Sequence, residues 1–148
     1  MSHLDIKEES YKSKSKFVTT NSFTASTKPL ENQLKIKINS INTRIPSRAT
    51  PGSVGFDLYA SENSTIPANG NGLVSIGLAM SPPKECYIRI AARSGLAINN
   101  KLQIGAEVIN PDYTGDIKVI LFNHSNKPFN IKIGDKIAQA VLEQAKVP

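Results

Sequence analysis

The chain has 148 residues, a formal net charge of +6 and one cysteine, a size that allows a single domain whose core needs no disulfide or metal staple. Cys86 has no partner for an internal bridge and no apolar signal-like or membrane-spanning stretch accompanies it, so the expected setting is reducing, cytoplasmic or nuclear, or within a viral or element particle, and not a membrane. Dividing the charge at residue 33 leaves 5 minus 4, or +1, on residues 1–33 and 13 minus 8, or +5, on the rest; without a dense Lys/Arg block interleaved with aromatics, that charge reads chiefly as solvated surface rather than a nucleic-acid face.

Residues 1–33 are rich in Ser, Thr, Lys and Asn, carry a KSKSK run over 12–16, and scatter their apolar residues with neither helical nor strand period. They are expected to form a flexible N-terminal arm ahead of a β domain over 34–148. Lys12, Lys14, Lys16 and Lys28 are too few for tight nucleic-acid binding by one arm, and any partner of the arm, protein or nucleic acid, is left unnamed.

From Leu34 the texture changes to short alternating runs: LKIKI over 34–38, STI over 64–66, GLVSIGLAM over 72–80, CYIRI over 86–90, IKVILFN over 117–123, FNIKI over 129–133 and IAQAVLE over 137–143. Between them stand turn-forming clusters such as PGSVG, PANGNG, SPP, NPDYTG, NHSNKP and KIGD. The one helical signal is a short turn after Ser94 in SGLAINN. Many short strands at regular turn spacing predict an all-β sandwich, barrel or jelly roll.

Four clusters depart from plain strand-and-turn composition. In PGSVGFDLYA the acid Asp57 sits inside an apolar run and needs a partner, which could be a turn it closes, a cation or a hydrated metal. In ARSGLA, Arg93, Ser94 and Gly95 put a guanidinium, a hydroxyl and a backbone N–H side by side; the group suits phosphate oxygens, and equally makes an ordinary turn. GAEVINPDYTGDIKVILFN reads as a hairpin whose turn carries Tyr113, able to stack on a sugar or base or to lie half buried. GDKIAQ leads into a strand that carries the Gln139 amide.

These four stretches, in this order and spacing, resemble four of the five motifs of the trimeric dUTP pyrophosphatases (dUTPases), and the resemblance covers about residues 34–143. It implies a distorted jelly-roll homotrimer that cleaves dUTP to dUMP and diphosphate with Mg²⁺ at sites assembled from several subunits. By resemblance, Asp57 would hold the hydrated Mg²⁺ on a bound nucleotide; Arg93, Ser94 and Gly95 would contact phosphates; Tyr113 would pack under the deoxyribose; Gln139 would stand near the phosphates from a neighbouring subunit.

The sequence also departs from that family. Asn110 occupies the position of the catalytic base, normally Asp, and an amide cannot accept the proton of an attacking water. Glu107 replaces a Gly that borders the uracil, Lys136 replaces the usual Arg of the fourth motif, and the Gly-rich fifth motif is not found before Pro148. The resulting expectation is a dUTPase-like protein impaired or inactive in catalysis and retained for binding, assembly or a structural role. The alternative is a working, truncated or engineered Mg-dependent dUTPase, with Asp112 or Glu107 as substitute base; period-2 spacing puts Glu107 on the opposite strand face from Asn110.

Overall fold

The computed structural model describes residues 6–8, 16–20 and 32–148. Thirteen strands and one helix appear in it: β1 Ile6–Glu8, β2 Lys16–Thr20, β3 Leu34–Ile38, β4 Phe56–Tyr59, β5 Ser64–Ile66, β6 Asn71–Ser75, β7 Leu78–Ser81, β8 Cys86–Ala91, α1 Ser94–Asn100, β9 Leu102–Gly105, β10 Val108–Ile109, β11 Lys118–Asn123, β12 Phe129–Ile131 and β13 Lys136–Gln144. The described chain is all-β apart from seven helical residues. None of its helices is long and apolar enough to cross a membrane.

The strands form four sheets, ordered β1-β2-β3-β7, β10-β8-β13-β4, β6-β11-β9 and β12-β5, and every pairing is antiparallel. Alternation explains how they enclose one core: Leu34 and Ile36 of β3, Leu58 of β4, Val74 of β6, Ile88 and Ile90 of β8, Val119 and Leu121 of β11, and Ala138 and Ala140 of β13 all turn inward. The intervening residues face outward, as a half-buried sheet requires.

Three points go beyond or against the expectations. First, ahead of the β domain, β2 pairs with β3 from Lys16↔Ile38 to Thr20↔Leu34. The Phe-Val-Thr-Thr content of β2 favours an extended chain, and its backbone satisfies donors and acceptors on an edge of β3 that would otherwise be open. Lys12, Lys14 and Lys28 lie outside the described residues.

Second, GLVSIGLAM is two strands. Gly77 takes φ +70°, and a Cβ there would overlap Thr43 Oγ1 and lie 2.7 Å from Ser40 Cβ; Thr43 Oγ1 donates to Gly77 O at 2.8 Å and fixes the bend. Beyond the bend the chain changes sheet, β6 pairing with β11 and β7 with β3.

Third, the Asn110–Gly115 turn does not close a hairpin. β10 pairs with β8 through Val108↔Arg89 and Ile109↔Ile88, whereas β11 pairs with β6 and β9. The left-handed Ala106, φ 49°, ends the β9 run and swings the chain to the neighbouring sheet. The Asn110 turn therefore bridges two sheets.

Candidate active site

The site residues follow from one sheet face. In β10-β8-β13-β4 the residues that do not enter the core share the outer face, and the register sets Gln139 directly beside Asp57 on one side and Ala91 on the other. Two residues along the same face, Val141 lies opposite Arg89, and two further, Glu143 lies opposite Tyr87. Arg93 follows Ala91 at the end of β8, where the backbone is still extended, and Ser94 and Gly95 open α1.

A cleft of about 700 Å³ collects Asp57, Arg93, Ser94, Gly95 and Gln139 on its wall, together with Gly55, Arg89 and Glu143. Five of the residues singled out in the sequence thus meet at one place. Gln139 is held there by its own amide, Nε2 donating to Ala92 O at 2.9 Å. Gly55 makes room for it: a Cβ at that position would overlap Gln139 Oε1 and come within 2.9 Å of Cδ.

Asp57 is the one buried carboxylate among the described residues. Its Oδ1 lies 3.3 Å from Arg93 Nε and its Oδ2 3.2 Å from Lys136 Nζ. Both are ion-pair distances, yet Oδ2 is covered from solvent and receives no hydrogen bond. The Lys136 ammonium therefore neutralises Oδ2 without aiming a proton at it. Its pairing with Asp57 was not foreseen; the sequence registered only the lost fork of a substituted arginine.

Three further residues were missed. Arg89 Nε donates to Glu143 Oε1 at 2.6 Å, and the Tyr87 hydroxyl donates to Glu143 Oε2. Those two hydrogen bonds, Tyr87's first, hold the Glu143 carboxyl below the ordinary glutamate range. The Glu143 hydrogen bond in turn raises Tyr87 and is the leading cause of the rise at Arg89. The alternation of Tyr87 and Arg89 in CYIRI and the register of Glu143 in the last strand were the available signals; pairing across strands distant in sequence was needed to join them.

Asn110 and Tyr113 are not in this cleft. Asn110 and Pro111 line a separate groove of about 850 Å³ with Cys86, Tyr87, Val108 and the segment after β13. Tyr113 caps its own turn, its N–H donating to Asn110 O at 3.1 Å and its hydroxyl to Asp116 O at 2.9 Å. Tyr113 as a residue is 45% exposed. Glu107 is exposed on the β9–β10 connection, its carbonyl accepting from Ile90 N at 2.7 Å. One chain thus presents a cleft of paired charges and, apart from it, an exposed aromatic turn carrying Asn110.

The cleft wall carries the Arg89 and Arg93 guanidiniums, the Asp57 and Glu143 carboxylates, the Gln139 amide, the Ser94 hydroxyl and the Gly95 backbone N–H, with the Lys136 ammonium 3.2 Å from Asp57 Oδ2; its donors suit anionic oxygens. Residues 42–148 match the dUTPase family profile. The deoxyuridine 5'-triphosphate nucleotidohydrolase of Yarrowia lipolytica is 53% identical over 115 residues, 78% of this chain and 73% of that protein. The Saccharomyces cerevisiae protein of the same name is 48% identical over 111 residues, covering 75% and 76%.

Among solved structures, the dUTPase of Staphylococcus bacteriophage 80alpha with dUpNHpp has a TM-score of 0.73 at 21% identity, over 79% of this chain and 85% of that one. A mutant dUTPase from phage phi11 of S. aureus, described for the coordination of a structural Mg(II) ion, has a TM-score of 0.72 at 20% identity, over 78% and 92%; at that identity the likeness concerns the fold, a β jelly roll. With four motifs in register and about half of the aligned positions shared with these hydrolases, the chain belongs to the dUTPase family.

Proposed function

We propose that this protein binds dUTP with the triphosphate in the Asp57–Arg93–Gln139 cleft, as a homotrimer in which the turn carrying Asn110 and Tyr113 comes from a second copy, and that it turns the nucleotide over slowly or not at all. The observation that carries the reading is the separation of the two halves of the site: the Asp57–Arg93–Gln139 residues and the Asn110 turn line different cavities of one chain, so a second copy is the simplest source of the missing half. Substrate identity is taken from the relatives named as deoxyuridine 5'-triphosphate nucleotidohydrolases.

In the proposed complex, Arg93, Ser94 and Gly95 bind and orient phosphate oxygens and offset their charge. Tyr113 presents its ring to the sugar. Asn110 can hold a water through its amide oxygen but cannot take its proton, and the loss of a positioned base lowers the rate by roughly 10²- to 10⁴-fold. As for the family's Mg²⁺, the residues do not fit a hydrated divalent cation while Lys136 covers Asp57 Oδ2 at 3.2 Å, so no step is assigned to it. On this reading the protein is retained for binding or assembly.

A second reading, a dUTPase of ordinary rate, is favoured by the 53% identity to the Yarrowia protein and would use Asp112, exposed in the same turn, as base. Diphosphate release from dUTP separates the two. Slow release that rises by about 10²-fold or more in Asn110→Asp supports impairment through Asn110. Wild-type turnover in the ordinary enzymatic range of about 1–10³ s⁻¹ refutes it.

A further inference from the structure

The charges around Asp57 imply more than a phosphate site. The carboxylate is 10% exposed and has a cation on each oxygen, Arg93 at 3.3 Å and Lys136 at 3.2 Å, whose own side chains are 34% and 42% exposed. Counting −1 for Asp57 and +2 for its two partners, the group carries a net +1 before any ligand arrives. Gln139 adds a neutral amide, and Arg89, the other cation on the cleft wall, is already matched by Glu143.

A buried carboxylate ordinarily requires a counter-charge, which a metal on the incoming polyphosphate can supply. Here Oδ2 is shielded from solvent and faced by an ammonium. A dication brought to that oxygen would meet a like charge tethered to β13 and would have to expel it. Lysine suits the position, being a compact point charge on a flexible stem where arginine would be a wide planar fork.

We propose that Lys136 stands in for the divalent cation at Asp57, so that this protein binds the polyphosphate of a nucleotide without divalent metal. Lys136 neutralises Asp57 from one side and thereby removes the carboxylate's repulsion of phosphate. Arg93, Ser94 and Gly95 on the cleft wall then suffice to hold the anion. Lys136 is a positioning residue in this arrangement, acting on the ligand through Asp57. The inference rests on the assignment of the cleft to the triphosphate, and the test separates the two.

The experiment is calorimetric titration of the full chain with dUpNHpp and, separately, with inorganic tripolyphosphate, each in EDTA and in millimolar Mg²⁺, on the wild type and on Lys136→Met, with a thermal melt to establish that the variant is folded. The wild type is expected to bind with dissociation constants that agree within about threefold in the two buffers, whereas Lys136→Met weakens by about tenfold or more in EDTA and recovers in Mg²⁺. Wild-type binding that disappears in EDTA and returns with Mg²⁺ overturns the inference and leaves the phosphate cleft standing. No binding of either probe in either buffer overturns both. A folded Lys136→Met that binds equally with and without metal overturns the assignment to Lys136. The wild-type comparison decides by itself if the variant does not fold.

Discussion

Gly55→Ala tests how the cleft is built. A Cβ at this position overlaps Gln139 Oε1 and lies 2.9 Å from Cδ and 3.1 Å from Cβ of the same side chain. The first two atoms can swing away but the third moves only with β13. Rotating the amide breaks its hydrogen bond to Ala92 O, a loss of about 1 kcal/mol, and the tight Cβ contact adds some tenths. The expected cost is about 1.5 kcal/mol, or a fall of about 5 °C in Tm for a domain of this size. Urea denaturation of the wild type, Gly55→Ala, Gln139→Ala and the double variant gives the complete cycle. Since Gln139→Ala removes Oε1 and Cδ, Gly55→Ala should cost about 1 kcal/mol less in that background. Equal costs in the two backgrounds would refute the reasoning, for they would place the penalty in the backbone at residue 55 rather than in its contact with Gln139.

The Tyr87–Glu143–Arg89 group makes stability depend on pH at both ends. With its folded-state value depressed, Glu143 contributes stability that is present above its unfolded value, about 4.3, and lost as pH falls through the folded one; Glu143→Gln should flatten the acid limb of a urea midpoint–pH curve, and an unchanged limb counts against the group. Tyr87, raised by the same bond, contributes below its unfolded value, about 10, and loses that contribution as pH rises further, so Tyr87→Phe should flatten the alkaline limb. In the core, Leu58 is fully buried beside Asp57 on β4; Leu58→Ala should cost about 2–5 kcal/mol in urea denaturation, and a loss under 1 kcal/mol would mean that β4 does not anchor the cleft as described.

The alternation of small apolar runs was enough to predict an all-β domain, and β3 and β5 appear at the residues predicted for them. Strand periodicity is a local property, carried by which side chains face the core. That Asp57, Arg93 and Gln139 belong together was legible only through the family resemblance of their motifs, since each by itself suited an ordinary turn or strand; the structure gathers them in one cleft. What failed was connection. The Asn110 turn had the local chemistry of a hairpin, and GLVSIGLAM that of one strand. Neither composition reveals which sheet each half joins.

The sequence by itself determined that the domain over 34–148 is built of short extended segments, that the chain resembles the dUTPases, and that Asn110 has no proton-accepting group. Only the tertiary structure decided that β8, β13 and β4 set Ala91, Gln139 and Asp57 in one row, that Asn110 lines a different cavity from them, and that Lys136 reaches Asp57. The physical reason is separation along the chain. Asp57 and Lys136 are far apart in sequence, and they come within 3.2 Å only because antiparallel pairing brings β4 against β13.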